Sequence, residues 1–441
     1  MMLRPDQEKQ LNEKLYVGYD LNDRFSQISF VKEGSQEAET VSTTPGAEQF
    51  NIPTCLCKRF GAGQWFFGRE ALKRAKNGEG VLIDHLVSLA YEGQPVTVDH
   101  EEYDPIALLT LYVRRSLTLL TMQHPGTPEI LMITCSNFDS RMVQVLQEVT
   151  AGLVLKKTRV MFQNYTESIF EYNIHQPENL WNYQTIVFEL EEGPLTSYRM
   201  ECNHHTKPVV AFIEKQEHRQ VLGIVDWPDD PAYRRTIEEN LDNDFLRACE
   251  ELCHERVVSS VYLIGDGFRQ EWMKASLQFL CRGRHVFKGS NLYSKGAAYA
   301  AADKVRAADE EKKIVFLGEE KCKSNIGIPV TRRGAGSYLA LIDAGQNWYE
   351  AEKECDLILE TGNTLTFTIT PLTGSKPWQA EMVLDGLPDR PRMTTRLHLV
   401  IAMTSPSKVR IQVQDLGFGE IFQATMRRWM EELDVGEKEQ L

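Results

Sequence analysis

The 441-residue chain lacks an apolar run of roughly 18 residues, and its opening residues contain no apolar segment of a secretory signal. The chain also has fewer basic than acidic residues: 49 Lys and Arg against 63 Asp and Glu, which gives a net charge of -14. Membranes and nucleic acids present anionic surfaces, which such a chain repels. We therefore expect a cytoplasmic protein that binds neither a membrane nor a nucleic acid.

Familiar signatures of catalysis and metal binding are missing as well. The sequence has no Gly-x-x-x-x-Gly-Lys-Ser/Thr phosphate loop, no Gly-x-Ser-x-Gly elbow and no His-Glu-x-x-His helix. Its nine cysteines are scattered, and the Cys and His groups at 55–57, 202–205 and 249–254 do not have the spacing of a zinc site. We therefore expect reduced thiols and no metal centre.

The most informative stretch that is present spans residues 260–300. It reads as an apolar strand, a glycine turn, an amphipathic helix, a second strand and a helix that starts near Gly296. Gly265 and Gly267 lack a Cβ, so the backbone there can approach a flat ligand closely, and Arg269 follows the turn. The turn predicts a nucleoside or small-molecule site; alternatively, it is a tight connection between strand and helix.

The rest of the first 312 residues shows a coarse duplication. Two strand-turn-strand patterns, at 15–31 and 185–200, each precede a stretch of mixed strands and helices. One helix is predicted to begin after Asp104, which is an N-cap residue followed by proline. The duplication indicates two related halves that face a cleft, with lobe I at 1–184 and lobe II at 185–312.

The pattern changes in residues 313–441. Short apolar strands follow one another there, and Gly and Pro separate many of them. This spacing is typical of an antiparallel β-sandwich. The spacing of apolar residues at 421–433 predicts one short amphipathic helix at the end of the sandwich.

In this order, the motifs resemble those of the superfamily of DnaK-type heat-shock chaperones, actins and sugar kinases. Gly18-Tyr19-Asp20-Leu21 is similar to the start of the first phosphate loop, and Phe-Glu-Leu-Glu-Glu-Gly at 188–193 lies where the second belongs. Residues 261–269 and 296–298 resemble the adenosine segment. The resemblance covers nearly the whole chain and looks like a divergent bacterial branch. It implies an α/β fold, namely an actin-like ATPase domain of two ribonuclease H-like halves followed by a chaperone-type antiparallel β-sandwich.

The resemblance also implies a nucleotide cleft, which would take ATP with Mg²⁺. The residues that would form this cleft are Asp20, Asn22, Glu189, Gly193, Gly265, Gly267, Arg269 and Gly296.

The phosphate loops depart from the family pattern. Residues 22–24 read Asn-Asp-Arg instead of Gly-Thr-Thr, and residues 191–194 read Glu-Glu-Gly-Pro instead of Gly-Gly-Gly-Thr. A carboxylate about 4 Å from a phosphate oxygen is repelled by about 4 kcal/mol at an effective dielectric near 20. The family's catalytic Glu aligns with Asn164, and its catalytic Lys has only Lys73 as a nearby basic candidate. These departures predict a degenerate ATPase without efficient hydrolysis.

Two hypotheses for function follow. The first is a chaperone-like pseudo-ATPase that binds a protein or peptide partner or serves as a scaffold, with the sandwich offering an edge strand. The alternative is a functional ATP-dependent chaperone with altered loops. The acids of the two turns then bind Mg²⁺ or Ca²⁺, whereas in the first hypothesis they are solvated hairpin ends. These acids are Asp20, Asp23, Glu189, Glu191 and Glu192.

Overall fold

The computed structural model describes residues 13–44, 46–153, 155, 157–204, 209–223, 227–306, 314–372 and 376–436. The chain is a mixed α/β protein with several sheets, and it divides into two compact units, Met1–Phe316 and Leu317–Leu441. Within the described ranges, no helix has the length and apolar character needed to cross a membrane.

The first half of unit 1 is built around a mixed sheet. Its elements are β1 (Lys14–Leu21), β2 (Phe25–Lys32), β3 (Ala38–Thr40), β4 (Ile52–Pro53), β5 (Leu56–Arg59), β6 (Trp65–Phe67), α1 (Gly68–Lys76), β7 (Gly80–Ile83), α2 (Leu86–Glu92), β8 (Val96–Val98), β9 (Glu101–Tyr103), α3 (Pro105–Gln123), β10 (Thr127–Cys135), α4 (Ser140–Gly152), β11 (Arg159–Asn164) and α5 (Tyr165–Ile174). The strand order is β11-β10-β1-β2-β3, and β4 also pairs with β2. Strand β1 is parallel to β10 and antiparallel to β2. Strands β5, β6 and β7 form a small separate sheet, and β8 pairs with β9.

The second half of unit 1 repeats this arrangement. Its elements are β12 (Gln184–Glu189), β13 (Gly193–Asn203), β14 (Val209–Gly223), α6 (Pro231–Cys253), β15 (Val258–Ile264), α7 (Ala275–Leu280), β16 (His285–Gly289), α8 (Leu292–Arg306) and β17 (Ile314–Phe316). The strand order is β16-β15-β12-β13-β14-β17. In both sheets the first strand lies between an antiparallel meander and two parallel strands. The hairpins predicted at 15–31 and 185–200 are therefore present as β1–β2 and β12–β13.

Helices α5 and α8 lie between the two sheets. The alanine-rich face of α8 packs on Tyr16 and Met132 of the first sheet. Tyr165 of α5 and Tyr293 of α8 pack with Tyr198 and Tyr262 of the second sheet. The helices therefore join the two halves of unit 1 into one core.

Glycines allow α8 to approach its neighbours closely. A Cβ on Gly296 would lie 1.9 Å from the carbonyl oxygen of Ser168 on α5, and a Cβ on Gly18 would lie 2.1 Å from the carbonyl oxygen of Ser294. No side chain fits at either distance. Gly296, which the resemblance assigned to the nucleotide cleft, is buried at this helix crossing.

Unit 2 consists of two four-stranded antiparallel sheets. Its strands are β18 (Ser324–Arg332), β19 (Ala335–Ile342), β20 (Glu352–Leu359), β21 (Thr364–Pro371), β22 (Trp378–Val383), β23 (Thr395–Ser405), β24 (Lys408–Gly417) and β25 (Arg428–Asp434). The strand orders are β19-β18-β21-β22 and β20-β23-β24-β25. Burial alternates along β21, β23 and β24, as expected when one face of each sheet is packed and the other is wet.

Two sequence predictions about this region were wrong. The short helix predicted at 421–433 is absent, and residues 428–434 instead form β25, which pairs with β24 from Gln414↔Arg428 to Lys408↔Asp434. The apolar residues there also fit a two-residue period, and pairing with β24 supplies hydrogen bonds that a short isolated helix lacks. The strand at 314–316, assigned to the sandwich, pairs with β14 and belongs to unit 1.

A buried ion pair fixes the loops beside β24. Both oxygens of the Asp415 carboxylate accept hydrogen bonds from Arg390, at 2.7 and 2.8 Å, and one also accepts from the amide of Thr425 at 2.9 Å. These donors stabilise the anion and hold the pKa of Asp415 far below its usual range, although burial acts in the opposite direction. Asp415 thus ties the 388–391 segment to the turn that leads into β25.

We predict that Gly296→Ala lowers the free energy of unfolding by about 3 kcal/mol or more, because the added methyl group forces α5 and α8 apart. Denaturant titration measures this loss. Gly289→Ala is the matched control, since a Cβ there would meet no heavy atom within 4 Å and should change stability by less than about 0.5 kcal/mol. Equal stabilities of the two variants would contradict the close packing.

Candidate functional site

The candidate site lies at the tips of the β1–β2 and β12–β13 hairpins in unit 1. The Nη1 atom of Arg24 on the first tip is 3.2 Å from Oε2 of Glu191 on the second, and its Nε atom is 3.9 Å from Oε2 of Glu192. All three side chains are partly exposed, so each ion pair contributes little to stability, about 1 kcal/mol or less. Their importance is positional, since they join the two tips that the resemblance expects to hold phosphates.

Local hydrogen bonds shape the first tip. The Oδ1 atom of Asn22 accepts from the amides of Arg24 and Phe25, at 2.9 and 3.0 Å, which closes the turn. The carboxylate of Asp23 accepts from the amides of Val87 and Ser88, at 2.9 and 3.0 Å, at the start of α2. Asn22 and Asp23 are therefore engaged by the chain's own backbone.

Behind the tips, the buried Asp20, the half-buried Glu189 and three buried tyrosines form a cluster, which we call the acid–tyrosine cluster. The Tyr165 hydroxyl donates to Oδ1 of Asp20 at 2.7 Å. The hydroxyls of Tyr293 and Tyr198 both donate to Oε2 of Glu189, at 2.9 and 3.2 Å. The rings of Tyr165 and Tyr293 stack at 3.7 Å, so the two halves of unit 1 meet through this cluster.

Burial disfavours the ionised form of these acids. It raises the pKa of Asp20 to about 8, and repulsion from Glu189 and Glu191 adds to this shift while the Tyr165 hydrogen bond opposes it. It also raises the pKa of Glu189, against the two tyrosine hydrogen bonds and the positive charge of Lys215. The pKa of Glu191 rises to about 7 through burial and repulsion by Asp266. Near neutral pH, Asp20 is therefore mostly protonated and Glu191 is divided between its two forms.

The glycine turn of the adenosine-like segment packs against the second tip. Gly265 has a φ of 104°, and a Cβ there would lie 2.3 Å from the carbonyl oxygen of Leu190. The amide of Gly267 donates to that oxygen at 2.9 Å. The amide of Asp266 donates to Oε1 of Glu191 at 3.3 Å. Both glycines are thus required by close approach within the chain, which is the alternative that the sequence left open.

The remaining predicted residues are separate from the acid–tyrosine cluster. Arg269 forms an ion pair with Asp266 at 3.0 Å. Gly193 begins β13 with a φ of 120°, and nothing lies within 4 Å of where its Cβ would be. Asn164, aligned with the family's catalytic Glu, accepts from the amide of Glu167 at 2.9 Å and caps α5. Lys73 lies on the exposed side of α1.

Sequence reasoning missed the three tyrosines that hold the acids. Tyr165 follows directly after β11, Tyr293 lies in the first turn of α8, and Tyr198 is in the middle of β13. Their positions near the two loops were visible in the sequence, but no spacing rule marks a tyrosine as a donor to a distant carboxylate. Chemically, the cluster offers carboxylate oxygens as ligands for a divalent cation, and Asp20 must lose its proton before it can bind one.

The fold and the site together define an α/β protein with two sheets of one strand order, a closed acidic centre between them and an antiparallel C-terminal unit. Residues 37–319 match the family of unknown function DUF5716, in its C-terminal region, and this match spans more than half of the chain. The chain therefore belongs to that family. Residues 321–435 match a second domain of unknown function, DUF8552. None of the curated proteins matches the chain significantly.

The acid–tyrosine cluster makes stability fall as the pH rises. An acid whose pKa is raised by folding favours the folded state below its unfolded pKa, near 4, and this contribution is lost as the pH rises toward the folded value, about 8 for Asp20. We predict that Asp20→Asn removes part of this loss, on the order of 3 kcal/mol between pH 4.5 and pH 8. Denaturant unfolding at the two pH values measures it.

The control for this comparison is Asp84→Asn, which neutralises an exposed acid of the same unit. It should leave the pH dependence of the wild type intact. A wild-type protein that becomes more stable from pH 4.5 to pH 8, with Asp20→Asn following the same curve, would show that Asp20 is ionised in the folded state.

Proposed function

We propose that the chain is a chaperone-like pseudo-ATPase, a protein-binding or scaffolding module on an actin-like body that does not hydrolyse ATP efficiently. The duplicated strand order supports the actin-like part of this proposal. Each sheet of unit 1 combines a three-stranded meander with two parallel strands, which is the arrangement expected of a ribonuclease H-like half. The two antiparallel sheets of unit 2, with alternating burial, support a chaperone-type sandwich.

The observation that carries the pseudo-ATPase proposal is the contact between the hairpin tips. In the family that the sequence resembles, glycine amides at these tips approach the phosphates. Here Arg24 reaches across to Glu191 and Glu192, and the amide of Asp266 is directed at Glu191. The Asp266 amide and the Arg24 guanidinium, which could attract a triphosphate, are therefore already paired with the protein's own acids.

Electrostatics act in the same direction. Glu192 on the second tip is largely exposed, whereas Asp20 is buried and Glu189 half-buried behind the tips. Each carboxylate about 4 Å from a phosphate oxygen costs about 4 kcal/mol at an effective dielectric near 20. A bound Mg²⁺ would have to displace the proton of Asp20, whose pKa of about 8 shows how strongly burial disfavours the anion.

The surface that best supports a protein-binding role is β25 in unit 2. This strand ends its sheet, and in the described part of the chain no strand pairs with its outer edge. Met430, at the centre of the strand, is 70 % exposed. Together with His398 and Gln412 it lines a shallow surface depression. Arg428 and Glu432 are exposed on either side of Met430. The partner that fits is an extended segment with an apolar residue between an acidic and a basic one.

A functional ATP-dependent chaperone with altered loops is the second candidate. The proximity of Asp20, Glu189 and Glu191 favours it, because three carboxylates could bind Mg²⁺ once they are deprotonated. The two functions differ in their response to nucleotide.

We predict that the wild-type protein shows no saturable binding of Mg-ATP up to about 1 mM in calorimetry, where a Kd of 1 mM corresponds to about -4 kcal/mol. The double variant Glu191→Gly, Glu192→Gly removes two charges and frees Arg24, and it should gain at least about tenfold in affinity. The double variant Glu191→Gln, Glu192→Gln distinguishes the effect of charge from that of side-chain volume, because it removes the negative charges but keeps side chains of the same size. Micromolar Mg-ATP binding by the wild type, with turnover lost in Asp20→Ala, would establish the alternative.

We also predict that peptides selected from a random display library bind unit 2 through β25. Met430→Asp should weaken the selected peptides at least about tenfold, because it places a charge in the apolar centre of the interface. Met122→Asp is the matched control, since Met122 is 79 % exposed on α3 in unit 1 and should have no effect. Fluorescence anisotropy with the intact chain measures both. Equal affinities of the two variants would show that β25 is not the binding surface.

A further inference from the structure

Helices α5 and α8 bring together three side chains that can bind a metal. Glu171 lies in the last turn of α5, His175 is the C-cap residue that follows this helix, and Asp303 lies on α8. One ligand atom from each residue lies within 4.8 Å of the other two. The three residues are half-buried, and none of them belongs to the acid–tyrosine cluster.

The imidazole of His175 has the orientation that is common in metal-binding histidines. Its Nδ1 atom lies 2.7 Å from the carbonyl oxygen of Glu171, which only accepts, so Nδ1 carries the hydrogen and donates. The ring also stacks on Tyr299, with centroids 4.3 Å apart and planes 5° from parallel. These contacts direct Nε2 toward Oδ1 of Asp303, and a backbone acceptor on the opposite ring nitrogen is typical of metal-bound histidine.

The separation of these atoms suits a cation between them. Nε2 of His175 and Oδ1 of Asp303 are 3.3 Å apart, which is longer than the 2.7–2.9 Å typical of a charge-assisted hydrogen bond. Two ligand atoms 3.3 Å apart that each lie about 2.1 Å from a zinc ion subtend an angle of about 104°, close to the tetrahedral value. The pair is thus spaced for a shared tetrahedral metal.

We propose that Glu171, His175 and Asp303 bind one Zn²⁺ ion and leave one coordination position open to water. One imidazole nitrogen and two carboxylates match Zn²⁺ better than Mg²⁺ or Ca²⁺, which prefer oxygen ligands alone. The ion links α5 to α8 near their packed crossing at Gly296. Two carboxylates offset its charge.

The nearby cation limits the affinity. The Nη1 atom of Arg306 is 3.8 Å from the same Asp303 oxygen, while its Nη2 atom donates to the carbonyl oxygen of Ser35 at 2.6 Å. A second positive charge beside the ligand weakens zinc binding, and three protein ligands bind less tightly than four. We therefore expect a Kd in the micromolar range, about -8 kcal/mol, rather than that of a structural zinc site.

The test is calorimetric titration of the full-length chain with ZnCl₂ after removal of metals with a chelator. The wild type should bind one ion, and His175→Gln and Asp303→Asn should each weaken binding by about 100-fold. His398→Gln is the matched control, because His398 also lies between two acids, 3.3 Å from Glu354 and 2.9 Å from Asp356, and should not matter. Circular dichroism verifies that each variant is folded.

Titration with Co²⁺ followed by visible absorption gives a readout that does not depend on stability. Nitrogen and oxygen ligation should produce weak visible bands that disappear in His175→Gln. A strong near-ultraviolet band from sulfur would assign the ion to a cysteine, such as the exposed Cys281, and would overturn the proposal. No stoichiometric binding by the wild type, or undiminished binding in both variants, would also overturn it and leave His175 and Asp303 as an ion pair.

Discussion

The centre of unit 1 depends on the burial of carboxylic acids between two sheets. Asp20 and Glu189 occupy equivalent positions near the ends of β1 and β12, and each accepts a hydrogen bond from a tyrosine hydroxyl. Burying a charged carboxylate costs several kcal/mol, so burial raises the pKa of both acids. The centre between the two sheets is therefore held together by hydrogen bonds between acids and tyrosines.

The two hairpin tips are in contact, and helices α5 and α8 are closely packed. Burial raises the pKa of Asp20 and of Glu189 behind the tips, which lessens the repulsion on Glu191, and Arg24 joins the two hairpins. The glycine turn at Gly265 packs on Leu190 in the same region, and Gly296 lets α8 touch α5. Close packing within the chain uses the same glycines that the sequence resemblance assigned to a ligand site, so their presence alone does not indicate a ligand.

Much of the architecture could be predicted from the sequence where the signals were local. Asp104 caps α3 through the amide of Ile106 as its pairing with proline indicated, and both hairpins lie where alternation placed them. The terminal segment failed because its apolar residues fit two periods, and only the neighbouring strand β24 decides between them. Three contacts could not be predicted because they join residues far apart in the chain: Tyr165 to Asp20 over 145 positions, Tyr293 to Glu189 over 104 and His175 to Asp303 over 128.

The most direct test of this account is a crystal structure of the chain grown or soaked with Mg-ATP at a saturating concentration. The account predicts that the space between the β1–β2 and β12–β13 tips contains no triphosphate and that Arg24 remains paired with Glu191. Electron density for ATP and a metal between those tips, with Asp20 or Glu189 among the ligands, would contradict it.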